Sequence, residues 1–407
     1  MKKIRTIFLV AALTGGGSHR TDAVDLPLEE WSMNKSAQVD AIVREVHEGV
    51  PVPGIAVGIV LGDELVYGKG FGFRRLSDEK PAGADTLFHV GSVSKPITAT
   101  LLAALMERGV IALDDPVAKH LPESVSLPTY DGAPVELTVR HLATHSSGLP
   151  RDPPNRRNVW YGLRLNPGQA KPYSVEELYV ALGKTKLLFE PGSECSYSNF
   201  GYGLLGHVLE MAGGKPLEEL MKQVLFKPLG MKETTVTMDE GALENFATHY
   251  WHDDRRRPRS DRPRTEFGEI FGHGGVVSSV EDLARFVSFQ FSGKPDVLSL
   301  VALDKMRTGR ENSLGEPLLL ERDGVEMQMC IGWRVQEADK NGGIVNHSGE
   351  MDGHSAYVAY APRAKLGVIV LANLGGARRR ESNPTAALQV GVRLKESILY
   401  PALGWKP

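Results

Sequence analysis

The sequence predicts an α/β (α+β) fold in which an antiparallel β-sheet is flanked by helices and interrupted by an inserted, mostly helical lobe. Three observations predict it: a helix and a hairpin pattern come first, a Pro- and Arg-rich region with short helical patterns follows, and strand patterns with a closing helix come last. Strand patterns on both sides of the insert indicate that both ends of the chain build one sheet. We therefore assign residues 34–120 and 266–407 to the sheet domain and residues 121–265 to the helical lobe.

The first elements have the clearest patterns. Apolar residues within 39–46 recur at i, i+3, i+4 and i+7, which predicts an amphipathic helix. An apolar run at 55–61, a Gly-Asp-Glu turn at 62–64 and a second extended run at 65–71 predict a β-hairpin. A second helix is expected over 92–109, with a glycine at its C-terminal end.

The middle and end of the chain carry shorter patterns. Ser174 and Glu177 form a capping-box pattern, and 202–211 and 216–225 have helical apolar spacing. The later segments are expected to form strands at 332–335, 355–360 and 366–371 and a last helix at 385–399.

Composition limits the function. The chain has 407 residues, 42% of them hydrophobic, which is enough for a large core, and its net charge of -3 lacks the basic excess typical of nucleic-acid binding. We expect a small-molecule partner. Two cysteines, Cys195 and Cys330, are too few for a disulfide scaffold, and the sequence leaves open whether they pair and how many copies of the chain assemble.

The N-terminus resembles a secretory signal. Lys2, Lys3 and Arg5 precede an apolar run at 7–13, which small residues follow. We predict a signal peptide over residues 1–20 and a secreted or periplasmic protein; a disordered extension on a cytoplasmic protein is the alternative. No run approaches the ~20 apolar residues of a membrane span, so we expect no transmembrane segment.

A first candidate for chemistry is Ser92-Val93-Ser94-Lys95, at the expected start of a helix. Residues i and i+3 share a helix face, so the Lys95 amine can reach the Ser92 hydroxyl. A partly desolvated lysine has a lowered pKa and can act as the base that a hydroxyl nucleophile needs. Taken alone, the four residues are more often a helix cap beside a solvated lysine.

Two further segments carry groups of the right kind. In Tyr197-Ser198-Asn199, a phenol could exchange protons and an amide could donate a hydrogen bond, although a surface turn explains the pattern as well. The triplet at 347–349, His-Ser-Gly, precedes a strand; on an edge strand its small residues would let a substrate approach, with the next N–H as an oxyanion donor.

Together the three segments are specific, because they follow one another at separations of 105 and 150 residues. In this order they resemble the penicilloyl-serine hydrolase superfamily, which contains class C β-lactamases, D,D-peptidases and β-lactamase-like serine esterases. The resemblance covers roughly residues 39–399. Other segments that look like this family are Leu113-Asp114-Asp115-Pro116-Val117, His141 to Leu149, Phe226 to Met231 and His347 to Pro362.

The resemblance implies the roles of the candidate residues. Ser92 would be the acylated nucleophile, Lys95 the group that takes or shares its proton, and Tyr197 the proton shuttle. Asn199 would bind the amide or carbonyl of the acyl group, and the backbone N–H groups of Ser92 and Glu350 would form the oxyanion hole. The family fold it implies is an α/β body with an antiparallel sheet and an all-helical lobe, and it implies no cofactor.

The triplet departs from the β-lactamase pattern at its first position. His347, Ser348 and Gly349 would line the substrate site with Glu350, but β-lactamases and penicillin-binding proteins have lysine where this chain has His347. Histidine is mostly neutral at pH 7, and Glu350 adds a negative charge, so we expect weaker binding of carboxylate-bearing substrates. This favours neutral esters or amides.

We therefore predict a serine hydrolase acting on small ester, amide or peptide-like substrates. A class C-like β-lactamase or D,D-peptidase is the first alternative, and a non-catalytic penicillin-binding-like sensor or scaffold is the second. His141 and His145 have helical spacing but no third ligand nearby, so we expect no metal site. The segment 272–275, Gly-His-Gly-Gly, lacks the Lys-Ser/Thr of a phosphate loop and is expected to line the active-site wall.

Overall fold

The computed structural model describes residues 33–155, 172–252, 257–260, 268–322, 325–337, 342–351, 353–375 and 385–406. The predicted signal peptide at residues 1–20 lies outside these ranges. Among the helices described, none is long and apolar enough to cross a membrane.

The strands of the described residues belong to one large sheet and three small ones. In chain order they are β1 (Gly54–Leu61), β2 (Glu64–Arg75), β3 (Lys80–Pro81), β4 (Phe88–His89), β5 (Thr129–Tyr130), β6 (Ala133–Pro134), β7 (Trp251–His252), β8 (Pro258–Arg259), β9 (Val277–Ser278), β10 (Leu319–Arg322), β11 (Val325–Met329), β12 (Arg334–Gln336), β13 (Ile344–Met351), β14 (His354–Ala361) and β15 (Leu366–Ala372).

The helices lie before, between and after these strands. The α-helices are Met33–Gly49, Ser94–Glu107, Val139–Ala143, Val175–Lys184, Asn199–Gly213, Leu217–Met221, Lys227–Leu229, Glu240–Asn245, Val280–Ser292, Leu300–Arg307, Ala386–Leu394 and Tyr400–Ala402; 3₁₀ turns cover Gly91–Val93 and Val117–His120, and π-helical turns cover Lys222–Phe226 and Lys395–Leu399.

The large sheet is antiparallel and has nine strands in the order β10-β11-β12-β13-β14-β15-β1-β2-β3. β1, from the start of the chain, pairs with β15, from its end, with Ile55 opposite Ala372. The predicted sheet built by both ends is therefore confirmed. The segments between β3 and β10 contribute the described helices from Ser94–Glu107 to Leu300–Arg307, whereas the division into two domains at the stated boundaries remains a prediction.

Side chains on the two faces of the sheet enter two cores. Ala56, Val358 and Ile369 face the core that contains the helix Ser94–Glu107. Ile55 and Val368 face the core covered by Met33–Gly49 and Ala386–Leu394. Burial on both faces explains the continuous apolar run of β1, whose eight residues are all buried.

The predicted elements are found close to their expected places. The first helix, the hairpin of β1 and β2, and the capping box of Ser174 with Glu177 are all present. The expectation of an edge strand for the triplet is wrong as stated, because β13 lies between β12 and β14. However, β12 pairs only with residues 344–346 of β13, so residues 347–351 pair with β14 alone.

Cys195 and Cys330 are both free thiols, which answers the question that the sequence left open. Burial raises the pKa of each thiol to about 12, so both are protonated at neutral pH.

Candidate active site

Ser92 lies on the 3₁₀ turn Gly91–Val93, immediately before the helix Ser94–Glu107. One turn places Lys95 next to it, and the Nζ of Lys95 donates to the Oγ of Ser92 at 3.1 Å. The start of this helix is fixed by its neighbour, because the buried Oγ of Ser94 accepts the N–H of Val276 at 3.0 Å. The predicted contact between serine and lysine is therefore present.

Lys95 is fully buried and has three acceptors. Besides Ser92, its Nζ donates to Asn199 Oδ1 at 2.8 Å and to the carbonyl of His273 at 2.7 Å. Burial lowers the pKa of Lys95 against the opposing effect of Tyr197. The amine thus gives up a proton more readily than an exposed lysine does. The contact with His273 also brings the segment 272–275 to the site, where the sequence placed it.

The phenol ring of Tyr197 lies beside the same ammonium, with Lys95 Nζ 4.7 Å from the ring centroid. Burial alone would raise the pKa of Tyr197, but the positive charges of Lys95 and Arg334 outweigh it and the net shift is downward. The phenol oxygen of Tyr197 is buried and makes no hydrogen bond of normal geometry with any described residue. Ser92 nevertheless lies close enough to contribute to the lowered pKa of Tyr197. Ser92, Lys95 and Tyr197 thus form one coupled group.

The loop that carries Tyr197 is attached to His145. The carbonyl of His145 accepts the N–H of Ser196 at 2.9 Å, and its Nδ1 accepts the N–H of Ser198 at 3.1 Å. Because Nδ1 accepts, the neutral imidazole carries its proton on Nε2. Burial, followed by the charge of Lys95, lowers the pKa of His145 well below its ordinary value. This histidine positions the tyrosine loop.

His141 lies four residues before His145. Its Nδ1 accepts a hydrogen bond from the backbone N–H of Thr138 at 3.3 Å. Within the part of the chain that the structure describes, no three His, Cys, Asp or Glu side chains are grouped as a metal ion requires.

The amide of Asn199 is oriented from both sides. Its Oδ1 accepts from Lys95, and its Nδ2 donates to Asp152 Oδ1 at 3.0 Å. Next to Asp152, the guanidinium carbon of Arg151 lies 5.4 Å from the centroid of the Tyr197 ring, and two-thirds of the Arg151 side chain is exposed. The positive charge of Arg151 therefore lies next to the Tyr197 ring and is accessible to solvent.

The triplet reaches the site through its backbone. A Cβ on Gly349 would lie 2.9 Å from the Ser92 nitrogen, and one on Gly91, where φ is 52°, would lie 2.7 Å from the Glu350 nitrogen. Only glycine permits this approach of β13 to the turn before the helix. The N–H groups of Ser92 and Glu350 thus belong to two segments that touch.

His347 is buried, and its ring centroid lies 6.3 Å from that of Tyr197. Its Nδ1 is 2.8 Å from the carbonyl of Ser348 and carries a proton, because a carbonyl can only accept. Ser348 contacts the site through its carbonyl group, which accepts this hydrogen bond from His347. The structure therefore places His347 beside Tyr197, and its role in substrate binding remains a prediction.

Several residues near the site were missed by the sequence analysis. Arg334 on β12 is almost fully buried and acts electrostatically on Tyr197, Lys95 and His145. Arg151 and Asp152 lie two and three residues after Leu149, the end of a family-like segment, and this proximity was the available signal. Arg334 carried no sequence signal, because only the sheet brings it near the tyrosine.

Comparisons with known proteins identify the family of the chain. The Beta-lactamase family model matches residues 39–392. The D-alanyl-D-alanine-carboxypeptidase/endopeptidase AmpH of Escherichia coli K12 is 28% identical over 342 residues, covering 82% of this chain and 82% of the relative. A Beta-lactamase of Pseudomonas fluorescens is 27% identical over 356 residues, covering 82% and 92%.

A similar solved structure is the octameric penicillin-binding protein homologue from Pyrococcus abyssi, with a TM-score of 0.74 and 28% identity over 91% of this chain and 78% of that one. The hydrolase EstCE1 shares the fold, with a TM-score of 0.68 and 24% identity over 88% and 97%. With a family model that spans most of the chain, and with the fold and the Ser-x-x-Lys contact in place, the protein belongs to the Beta-lactamase family of serine hydrolases.

Proposed function

We propose that the protein hydrolyses ester or amide bonds through an acyl-enzyme on Ser92, with Lys95 and Tyr197 as its proton-transfer groups. The observation that carries the proposal is the 3.1 Å contact between Lys95 Nζ and Ser92 Oγ. A hydroxyl becomes a nucleophile when an adjacent base takes its proton. The lowered pKa values of Lys95 and Tyr197 make these two groups the base that is within reach.

In the acylation step, Ser92 Oγ forms a bond to the carbonyl carbon of the substrate and gives its proton to the Lys95–Tyr197 pair. The carbonyl oxygen gains negative charge, which the N–H groups of Ser92 and Glu350 stabilise. When the carbonyl re-forms, the bond to the leaving group breaks, and that group takes the proton from Tyr197. Water then attacks the ester of Ser92 through the same sequence of proton transfers, releasing the acid.

We assign the substrate to neutral esters or amides first. A lysine in place of His347 would be a permanent cation, whereas a histidine side chain is ordinarily mostly neutral at pH 7. The exposed carboxylate-bearing side chain of Glu350 adds negative charge to the same strand. Both features disfavour a substrate carboxylate on this side of the site.

The decisive experiment compares wild type with Ser92→Ala on a p-nitrophenyl ester and a chromogenic cephalosporin, with intact mass to detect acylation. We expect ester turnover and a mass adduct in wild type and neither in Ser92→Ala. Ser77→Ala, at an exposed turn serine, is the matched control and should behave as wild type. Full activity in folded Ser92→Ala would overturn the proposal, and a stable adduct without turnover would identify a sensor.

A second candidate is a peptidase that acts next to a terminal carboxylate, which the exposed guanidinium of Arg151 beside Tyr197 favours. The similarity to a D-alanyl-D-alanine-carboxypeptidase supports this candidate. Arg151→Gln should then raise KM for an acyl-D-Ala-D-Ala peptide about tenfold and leave KM for a neutral ester unchanged, as expected for one lost charged hydrogen bond. Equal effects on both substrates would reject it.

We also propose that the protein is exported, because Lys2, Lys3 and Arg5 precede the apolar run at 7–13. The test is the intact mass of the protein after expression in a Gram-negative host and fractionation. Loss of a segment near residues 1–20 together with periplasmic location supports export, and an uncut cytoplasmic protein contradicts it.

A further inference from the structure

A cavity of about 520 Å³ lies apart from the candidate catalytic groups: none of the eight predicted site residues lines it. Small-molecule sites in proteins commonly have volumes of about 300–1,000 Å³. Two arginines, Arg140 and Arg310, line this cavity, together with His141 and polar groups such as Ser146 and Ser313. The volume and the lining therefore suit a small polar ligand.

Arg310 is the unusual member of the lining. Its Nη2 donates to the carbonyl of Lys305, but its Nε is buried and has no hydrogen-bond partner among the described residues. Burial lowers the pKa of Arg310, and the charge of Arg140 acts in the same direction, so the two guanidinium groups repel each other. A half-buried cation with an unused buried donor is stabilised when an anion approaches it.

The neighbouring groups do not supply that anion. Cys330 is close enough to influence Arg310, but with a pKa of about 12 its thiol is neutral. Asp114 holds Arg140 through two hydrogen bonds of 2.8 and 2.9 Å. Glu311 is the acidic residue of the lining; its side chain is exposed and forms no ion pair with the described residues. The positive charge of Arg310 thus has no fixed counterion in the described structure.

We propose that this cavity is a second ligand site, which binds the carboxylate or phosphate group of a small molecule through Arg310, with Arg140 as the second guanidinium of the lining. A guanidinium suits such groups because its N–H donors match two oxygens at once. His141 is kept neutral by burial, since its pKa is lowered, and can serve as a polar wall without adding charge.

The site adjoins the loop that leads to Tyr197. Pro191 and Gly192 belong to the cavity lining, and the N–H of Gly192 donates to the carbonyl of Ser146 at 2.8 Å. On the other side, the N–H of Ser313 donates to the carbonyl of Gly192 at 3.0 Å. An anion bound to Arg310 would therefore connect the segments that hold this loop in place.

Inorganic phosphate and succinate are the two probes, because they separate the phosphate from the carboxylate form of the ligand. Titration calorimetry and thermal unfolding are measured at an ionic strength held constant with sodium chloride, since salt screens charges on its own. We expect wild type to bind at least one probe and to unfold at a higher temperature in its presence. Binding of neither probe overturns the proposal.

Variants locate the site without reference to hydrolysis. Arg310→Gln should weaken binding at least tenfold. Arg140→Gln, at a more exposed position, should weaken binding at least threefold. This second variant keeps the test valid if Arg310→Gln does not fold. Glu311→Gln removes a competing carboxylate and should leave binding equal or tighter. Arg44→Gln, at an exposed arginine of the helix Met33–Gly49 that lines neither site, is the matched control and should bind as wild type does. Loss of binding in Arg151→Gln with retention in Arg310→Gln would place the anion at the catalytic site and overturn the proposal.

Discussion

The imidazole ring of His145 lies 4.4 Å, centroid to centroid, from the phenol ring of Tyr197, inclined to it by 34°. The same histidine holds the backbone on both sides of the tyrosine, and it does so from a left-handed conformation, with φ at 58°. A residue other than glycine in this region is uncommon, and its strain is tolerated where the surrounding structure requires it. Here the surrounding structure is the loop of Tyr197, which His145 holds through two hydrogen bonds.

His145→Ala should lower kcat for ester hydrolysis by about 10–100-fold, since a misplacement of about 1 Å can cost that much. KM should change little. His145→Asn is the conservative control, because asparagine adopts left-handed conformations readily and its side-chain oxygen can accept the Ser198 N–H. It should retain more activity than the alanine variant. Equal activity in the two variants, each shown folded by circular dichroism, would contradict a positioning role.

The coupled pair Lys95 and Tyr197 predicts that activity rises with pH. The pKa of Lys95 lies below the ordinary value of 10.5 because the amine is buried. The neutral amine is the form that accepts a proton, so kcat/KM should increase as pH rises through the apparent pKa of the pair and level off before free lysine titrates. A pH–rate profile on a p-nitrophenyl ester measures this limb.

Lys95→Arg keeps the positive charge but not the ability to lose it, since a guanidinium stays protonated. It should reduce kcat/KM by at least about 10²-fold, the usual contribution of general base catalysis, and abolish the rising limb. A profile that keeps the wild-type shape in Lys95→Arg would show that another group titrates.

Asp152 should act through Asn199. Asp152→Ala removes the acceptor of the Asn199 Nδ2 and lets the amide turn, which should lower kcat/KM about tenfold, equivalent to one hydrogen bond of roughly 1–1.5 kcal/mol. Asp152→Asn keeps an oxygen acceptor and should stay near wild type. If Asp152→Asn loses as much as Asp152→Ala, the charge and not the hydrogen bond is what matters.

The contact of β13 with the turn before the helix predicts a severe effect of Gly349→Ala. Its Cβ would lie 2.0 Å from the carbonyl oxygen of Val90, so the two segments must separate and the Ser92 and Glu350 N–H groups move apart. We expect a loss of at least about 10²-fold in kcat, as for an oxyanion donor.

Gly109→Ala is the control for Gly349→Ala. Gly109 has a φ of 71° but open space around it, so its substitution should cost roughly 1–2 kcal/mol of stability and leave activity unchanged. Thermal unfolding and initial rates separate the two effects. Normal kinetics in Gly349→Ala would show that this close approach is not needed for catalysis.

Local patterns were sufficient for much of the fold. The spacing of residues 39–46 and the hairpin of β1 and β2 depend on neighbours in the chain, and both were found where expected. Ser92 and Lys95 were also within one turn of each other, so the sequence could predict their contact. The position of β13 inside the sheet could not be predicted from the sequence, because it depends on β12, whose three residues cover only part of the strand.

The contacts that orient the site join segments far apart in sequence. Asn199 meets Lys95 across 104 residues, and Asp152 meets Asn199 across 47. The residues near Asp152 do not indicate that its side chain binds an amide. The sequence of β12 likewise does not indicate that Arg334 is buried near the site. The structure was therefore needed to find the contacts of His145, Arg151, Asp152 and Arg334. It was also needed to show that β12 does not pair with the triplet at 347–349.

The pairing of β1 with β15 constrains how the protein can fold during synthesis. Gly54 donates its N–H to Asn373, 319 residues later. A ribosome adding 5–20 residues per second needs roughly 16–64 s to cover that separation, and during this time β1 lacks one of its neighbours. Its apolar residues must be kept from other chains until the C-terminal strands emerge, so folding of this long-range sheet is expected to be slow and dependent on chaperones.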